Sequence, residues 1–458
     1  MRMEKDSLGA KAVPDKALYG IHTVRSLENF GAAGEAVPLE IVYGIVKLKW
    51  ACARANHGLG SLPSRKAGAI VKACRRILSG GFEDQFRVDV FQAGSGTSSN
   101  MNVNEVVANL AAKSLGGRPG DRKTVHPNDD VNQGQSTNDV FPSGIKIACV
   151  ELSADLLKTL GRLVQELRKK EKQFAAVLKS GRTHLQDAVP VTLGQEFGAY
   201  ARALEKDAGR VRQAVEKLLE LAVGGNAIGT GINTKKHFRP SVLRALRAIT
   251  DAPYRVAKNG IEITQFMTDF AEMSSALKLL AIDLNKICND LRLLASGPNT
   301  GFAEIILPPV EPGSSIMPGK INPSICEAVN MACIEVVGLD HAVAIACAAG
   351  QLELNTHMPL MGYNLVKSFC MLSRSCEMLA VRCVRGIKAN RATCRRYFET
   401  SASLATVLNP KLGYDRVAEL VKESLKTGRT LRQLVREKRI MSDAELNRIL
   451  DRSTGPNL

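Results

Sequence analysis

Apolar residues that recur in alternating steps of three and four along proline-free stretches are the strongest constraint this chain places on its fold. One series runs Ile263, Phe266, Phe270, Met273, Leu277, Leu280, Leu284, Ile287, Leu291 and Leu294. A second runs Leu193, Phe197, Tyr200, Leu204, Ala208, Val211, Val215, Leu218 and Ala222. A third runs Ile145, Cys149, Leu152, Leu156, Leu160, Leu163 and Leu167. Such steps return side chains to one helix face, and a period near 3.5 keeps that face against a near-parallel neighbour. Stretches 143–189, 191–239, 254–297, 324–358 and 360–409 contain no proline to break these helices, whereas 298–323 contains six. A helix of about 32 residues is roughly 50 Å long. That exceeds what one compact domain needs and implies packing against helices of other subunits. The expected fold class is mostly α, with a central bundle of long helices.

Shorter helical patterns at 39–55 and 67–78 precede the bundle, and others at 414–425 and 442–450 follow it. The chain therefore divides into an N-terminal mostly helical region 1–141, a central bundle 142–388 and a small basic C-terminal helical region 389–458. With 45% apolar residues it can bury a large core. The eleven cysteines are odd in number and contain no CxxC pair. That usage suits reduced thiols in a cytoplasmic protein and argues against structural zinc. Met1-Arg2-Met3-Glu4 opens without an apolar region, so no secretory leader is expected. No apolar stretch of 18 residues is read in the sequence, so no membrane span is expected either.

The formal net charge of +17 is spread through the chain. Lys169-Lys170, Lys235-Lys236 and Arg395-Arg396 are pairs, the first a triplet with Arg168, and aromatic residues make up only 5%. Neither a basic tract nor a stacking surface for nucleic acid is present. A solvated basic surface is the plainer reading, and it would also raise encounter rates with dianionic substrates.

Chemistry concentrates in the proline-rich break. Gly313-Ser-Ser-Ile-Met-Pro-Gly-Lys-Ile-Asn-Pro323 places two serines, a lysine and an asparagine among glycines and prolines. Glycines allow backbone N–H groups to turn toward an anion, prolines restrict the loop, and Lys320 adds a full charge. Such a composition suits a site that holds a carboxylate and moves a proton beside it. Read alone, it would equally serve as a surface turn between helices.

This loop resembles the signature loop of the aspartase/fumarase superfamily. Gly94-Ser-Gly-Thr-Ser-Ser-Asn-Met-Asn102, Gln135-Ser-Thr-Asn-Asp139 and Gly181-Arg-Thr-His-Leu-Gln-Asp-Ala188 resemble its other motifs, in the family's order. The resemblance extends from about residue 4 to 449. It implies a three-domain fold, a homotetramer around long helices, and elimination from a succinyl dicarboxylate to release fumarate. No cofactor or metal is implied. The C–H proton to be removed is weakly acidic, so the adjacent carboxylate must take up a second charge in an aci-carboxylate intermediate. Fixed donors around that carboxylate and a base across the C–H bond are therefore required.

By the same resemblance Ser314 is the base, with Lys320 and the N–H groups after it stabilising its alkoxide. Thr97, Ser136, Thr137 and Ser315 match the positions that hold the carboxylate beside the departing proton. Thr183, Lys320 and Asn322 match those holding the other carboxylate, and Asn138 and His184 those touching the leaving group. Glu327 matches the carboxylate that orients His184. His126, in His126-Pro-Asn-Asp129, resembles a second anion site of fumarases but reads more simply as a turn or cap. Gly224-Gly-Asn-Ala-Ile-Gly-Thr-Gly231 lacks the Lys-Ser/Thr ending of a phosphate loop, so no nucleotide is expected.

Within the superfamily Ser98, Thr137, Tyr19-Gly-Ile-His-Thr23 and Gly350-Gln-Leu-Glu-Leu-Asn355 lean to the aspartase branch. The resemblance there implies reversible release of ammonia from L-aspartate. Gly94-Ser-Gly96 and His126-Pro-Asn-Asp-Asp130 lean to the fumarases, which hydrate fumarate to L-malate. Asn355-Thr-His-Met-Pro359 fits neither branch.

Overall fold

The computed structural model describes residues 1–454, with side chains through Leu450. The final residues of the region expected at 389–458 thus lie outside the described residues.

The chain opens with an antiparallel hairpin, β1 (Arg2–Asp6) and β2 (Gly9–Val13), in which Asp6 faces Gly9. Helices α1 (Ile21–Asn29), α2 (Leu39–Gly58), α3 (Ser64–Leu78) and α4 (Thr97–Ser114) follow. After α5 (Thr137–Gln173) comes a second hairpin, β3 (Leu178–Thr183) and β4 (Gln186–Thr192), then α6 (Leu193–Leu218). The two-residue strand β5 (Glu220–Leu221) leads to α7 (Phe238–Thr250) and pairs in parallel with β6 (Arg255–Val256). Next come α8 (Gly260–Gln265), α9 (Thr268–Leu294), β7 (Ile305–Ile306), α10 (Ser324–Ala348) and α11 (Met358–Arg382). Strand β8 (Lys388–Ala389) pairs antiparallel with β7. The chain ends in α12 (Arg391–Thr400), α13 (Ser403–Leu412), α14 (Tyr414–Thr427), α15 (Leu431–Glu437) and α16 (Asp443–Thr454).

The mostly-α expectation holds, and the long helices bury the expected stripes. Phe270, Met273, Leu277, Leu280, Leu284, Ile287, Leu291 and Leu294 are all buried along α9. The series does not run through one helix, however. Phe266 is extended (φ −98°, ψ 123°) and 58% exposed, while Met267 is buried in its place, so α8 ends and α9 starts afresh. Pro142 lies inside α5, so that helix starts five residues before the proline. The proline-free window 143–189 also proves not to be helical throughout, because β3 occupies its end.

Two compact units are present, and their boundaries fall within α5, α6, α9, α10 and α11. The first comprises residues 1–157, 209–279 and 335–372. Within it α2 packs on α3 and α7, and α4 on α1 and α3. A Cβ at Gly44 would lie 2.4 Å from the Gly144 carbonyl oxygen, so glycine is what lets α2 and α5 approach backbone to backbone. The second unit comprises residues 158–208, 280–334 and 373–458. Its C-terminal helices share a core that includes Phe398, Leu404, Leu408, Leu431, Leu434 and Leu446, with Leu178 of β3 packed against it.

Helix α10 is long and apolar enough to cross a membrane by length and composition, although most of its apolar window is not buried within the chain. Glu327, Glu335 and Asp340 interrupt the run, so no unbroken apolar stretch of 18 residues is present in it. The helix also carries a polar side: Asn330 bonds Asn285 and Arg292, Glu335 pairs with Lys367, and Asp340 with Lys278.

Candidate active site

In the first unit, two helix N-termini carry the matched hydroxyl and amide residues. Ser95 (φ 62°) and Gly96 (φ 85°) turn the chain so that Thr97 becomes the first residue of α4. A Cβ on Gly96 would lie 2.4 Å from the Phe141 ring, so the turn accepts only glycine. Ser136 precedes α5, and its hydroxyl accepts the Asn138 N–H at 3.3 Å. The two helix starts are joined by Asn100, whose amide donates to Thr137 Oγ1 at 3.1 Å. The positive end of the helix dipole favours an anion at each start. Asn138 donates to the Ala227 carbonyl at 2.7 Å, which ties this group to the glycine-rich turn at 224–231. Thr97, Ser136, Thr137 and Asn138 are all half-buried.

Asp139 is the residue that sequence reading overlooked. It is fully buried, with Oδ1 accepting the Ser136 N–H at 3.0 Å and Oδ2 accepting those of Gly224 and Asn226 at 2.8 Å each. Its carboxylate therefore fixes both the start of α5 and the glycine-rich turn. Burial raises its pKa to about 7, against the lowering effect of these N–H bonds and of the Lys49 charge. Burial likewise brings Lys49 down to about 8, and its ammonium donates to Asn132 at 2.7 Å and Gln135 at 3.0 Å.

A pH dependence follows from the sign of the Asp139 shift. The folded state holds a proton that the unfolded chain, with an aspartate pKa of about 3.9, releases first. The associated stability is fully present below about pH 4 and is lost as pH rises through 7. Thermal midpoints from pH 5 to pH 8 should therefore fall more steeply for the wild type than for Asp139→Asn. Parallel profiles would show that Asp139 titrates outside this window.

The unusual stretch at 355–359 also has a structural task. Buried Asn355 donates to the Ala346 and Cys347 carbonyls at 3.0 and 3.2 Å, closing the end of α10, and accepts the His357 N–H at 2.8 Å. The Thr356 carbonyl accepts the Ser95 N–H at 2.9 Å, bracing the turn before Thr97. His126 serves as a cap, as expected, its Nδ1 accepting the N–H groups of Asn128 and Asp129 at 3.2 and 3.0 Å. A cavity of about 570 Å³ in this unit is lined by His22, Arg25, Glu105, Arg122, His126 and Asn128. It contains none of the matched catalytic or substrate-holding residues.

In the second unit, the signature loop is pinned at its neck. Gly313 N–H donates to the Lys320 carbonyl at 3.0 Å, and Asn322 Nδ2 donates to the Gly313 carbonyl at 2.6 Å. A Cβ on Gly313 would lie 2.3 Å from the Lys320 oxygen, so the neck closes only around glycine. Within the loop, Ser314 Oγ accepts the N–H groups of Ile316 at 3.2 Å and Met317 at 3.0 Å. Two donors on one hydroxyl oxygen stabilise its deprotonated form. Ser315 and Lys320 are exposed, and Glu327 lies in the first turn of α10.

Thr183 and His184 sit at the tip of the β3–β4 hairpin, both exposed. His184 (φ 54°) and Leu185 (φ 60°) form a two-residue turn with both residues left-handed, matching the twist of the strands it joins. The hairpin is anchored by buried charge. Lys179 lies 2.6 Å from Glu304 and 2.8 Å from Glu196, and Arg182 lies 2.8 Å from Glu304. Glu304 and Lys179 are 0% and 1% exposed, and the Arg182 guanidinium stacks 4.3 Å from the Phe302 ring centroid. No hydrogen bond or ion pair joins Glu327 to His184 among the described residues.

Comparison with known proteins shows the family. Residues 9–338 match the family profile described as Lyase, and residues 404–454 that described as Fumarase C C-terminus. The aspartate ammonia-lyase of Pseudomonas aeruginosa is 47% identical over 454 residues, covering 98% of this chain and 95% of that protein. A class II fumarate hydratase of Thermosynechococcus vestitus is 42% identical over 448 residues, covering 98% and 96%. The solved structure of a Brucella melitensis fumarate lyase:delta crystallin bound to cobalt aligns with a TM-score of 0.96 and 44% identity, covering 99% of this chain and 100% of that one. By sequence along nearly its whole length and by fold, this chain is an enzyme of the lyase class and belongs to the aspartase/fumarase superfamily.

Proposed function

We propose that the chain is an L-aspartate ammonia-lyase that releases fumarate reversibly by anti elimination, with Ser314 as the base. The observation that carries the base assignment is the pair of N–H groups, from Ile316 and Met317, aimed at Ser314 Oγ in a loop that also presents Lys320. The choice of ammonia draws support from the 47% identical aspartate ammonia-lyase. Fumarate hydration is the second reading, favoured by the 42% identical class II fumarate hydratase and by the Gly94-Ser-Gly96 and His126-Pro-Asn-Asp-Asp130 sequences.

In this mechanism Ser314 alkoxide removes the proton from the carbon beside one carboxylate. That carboxylate gains a second charge and is held by Thr97, Ser136, Thr137 and Ser315, as an aci-carboxylate. On this reading the partial positive charge at the starts of α4 and α5 stabilises the new charge. The intermediate then expels ammonia, which Asn138 and His184 contact. Thr183, Lys320 and Asn322 hold the other carboxylate, Lys320 by full charge and the others by neutral hydrogen bonds. Glu327 orients His184.

The working form is proposed to be a cytoplasmic homotetramer whose sites draw on several subunits. Exposed apolar residues support this: Met331 (66%), Ile334 (65%) and Ile345 (58%) on α10, and Leu279 (40%) and Ile282 (47%) on α9. The ion-paired side of α10 suits a protein interface better than lipid, where charged neighbours are costly. The exposure of His184, with no bond to Glu327 among the described residues, fits a His–Glu pair completed by another subunit. Regions 1–141, 142–388 and 389–458 are retained as the domain organisation.

The leaving group is tested by following fumarate absorbance with and without ammonium. Fumarate should disappear only with ammonium present, and aspartate should form in equal amount. Malate formation without ammonium would establish the hydratase reading instead.

A further inference from the structure

A cysteine pair lies directly behind the signature loop. Cys326, in the first turn of α10, and Cys383, the residue after α11, have sulfurs 3.8 Å apart and in hydrogen-bond contact. Their exposures are 0% and 2%. Both line one narrow cleft together with Pro308, Val310, Asn322 and Pro323, so the two residues border the stem of the loop that carries Ser314. Cys288 of α9 lies close to Cys326 as well. The two neighbouring thiols and the Arg292 charge hold the Cys326 thiol well below the usual range, whereas mutual contact and burial raise Cys288 and Cys383. Cys326 thus has a second thiol already in contact with which a disulfide can close.

We propose that Cys326 and Cys383 are a modification site, oxidised by hydrogen peroxide to a reversible disulfide that tethers the stem of the 313–323 loop. The Cys326 thiolate attacks one peroxide oxygen, the O–O bond breaks, and a sulfenic acid forms with release of water once the leaving hydroxide is protonated. The Cys383 sulfur then attacks the Cys326 sulfur, the S–O bond breaks, and a second water leaves carrying the Cys383 proton. Two thiols and one peroxide become one disulfide and two waters. A disulfide requires the sulfurs to close to about 2.05 Å. That closure draws the first turn of α10 toward the end of α11. Pro323 and Asn322 immediately precede this turn, and Asn322 holds the Gly313 carbonyl, so the pull reaches the loop neck.

The bond itself does not depend on which substrate the enzyme takes; its effect on turnover rests on the proposed role of the loop. The full-length protein is treated with graded hydrogen peroxide, its remaining thiols are alkylated, and it is mapped by mass spectrometry without reduction. The expected product is a peptide pair linked through Cys326 and Cys383, two hydrogens lighter than the separate peptides and restored by dithiothreitol. Trypsin cleavage after exposed Lys320 should slow several-fold in the oxidised protein, and Cys383→Ala should abolish both changes. The wild-type map decides the question even where that variant does not fold. Full alkylation of Cys326 and Cys383 at a peroxide level that oxidises half-buried Cys347, or a link between Cys288 and Cys326, would overturn the assignment. A linked peptide with unchanged trypsin cleavage would overturn the tether.

Discussion

Ser314→Ala is expected to lower kcat for ammonia release from aspartate by about three orders of magnitude while changing KM little, within the range that general-base catalysis contributes. That factor corresponds to about 4 kcal/mol of transition-state stabilisation. The hydroxyl carries no charge that would hold a substrate carboxylate, so its loss falls on the chemical step. The fold should survive, because the lost interactions are the two N–H bonds from Ile316 and Met317 in an exposed loop. Such bonds contribute about 1 kcal/mol each. Lys320→Ala should behave differently, raising KM and lowering kcat together, because a full charge opposite a carboxylate is removed in both ground and transition states. Initial rates from fumarate absorbance separate the two patterns. Near-native kcat in Ser314→Ala would remove serine from the role of base and leave its hydroxyl as a turn former.

The long helices were legible because their burial follows apolar periodicity, as α9 illustrates from Phe270 to Leu294. The β3–β4 hairpin was not, although it carries Thr183 and His184. Its inward-facing Lys179 is 1% exposed yet charged, and a lysine in a sequence reads as a surface residue. Burial there is made possible by Glu196, 17 residues on, and by Glu304, far along the chain, so no local pattern announces it. The site divides in the same way. Ser314, Lys320 and Asn322 stand out by composition and resemblance, and the structure adds the N–H donors on Ser314. Asp139 was in plain view within Gln135-Ser-Thr-Asn-Asp139, but its function lies in bonds to Gly224 and Asn226, some 85 residues on. Likewise, the atypical Asn355-Thr356 pair makes sense only once the Thr356 carbonyl is seen to hold Ser95.

The charged anchor of that hairpin leads to the largest expected effect on stability. Glu304→Gln removes the carboxylate that Lys179 and Arg182 approach at 2.6 and 2.8 Å, leaving Glu196 alone to balance two cations. Leaving a buried charge uncompensated typically costs about 3–5 kcal/mol. The thermal midpoint should drop by several degrees, and hydrogen exchange should accelerate along 178–192 before the rest of the chain. The physical cause can be separated from simple loss of packing. Where the cost is the unpaired charge, the double variant Glu304→Leu/Lys179→Met should be less destabilised than Glu304→Gln, because both members of the closest pair leave together. Where packing dominates, the double variant should be worse. The hairpin also fixes the strand register that presents Thr183 and His184, so Glu304→Gln should raise KM although it carries no proposed contact with substrate. A variant that kept wild-type stability and KM would mean that water screens this cluster, and that the hairpin tip is held by its backbone ladder to β4 alone.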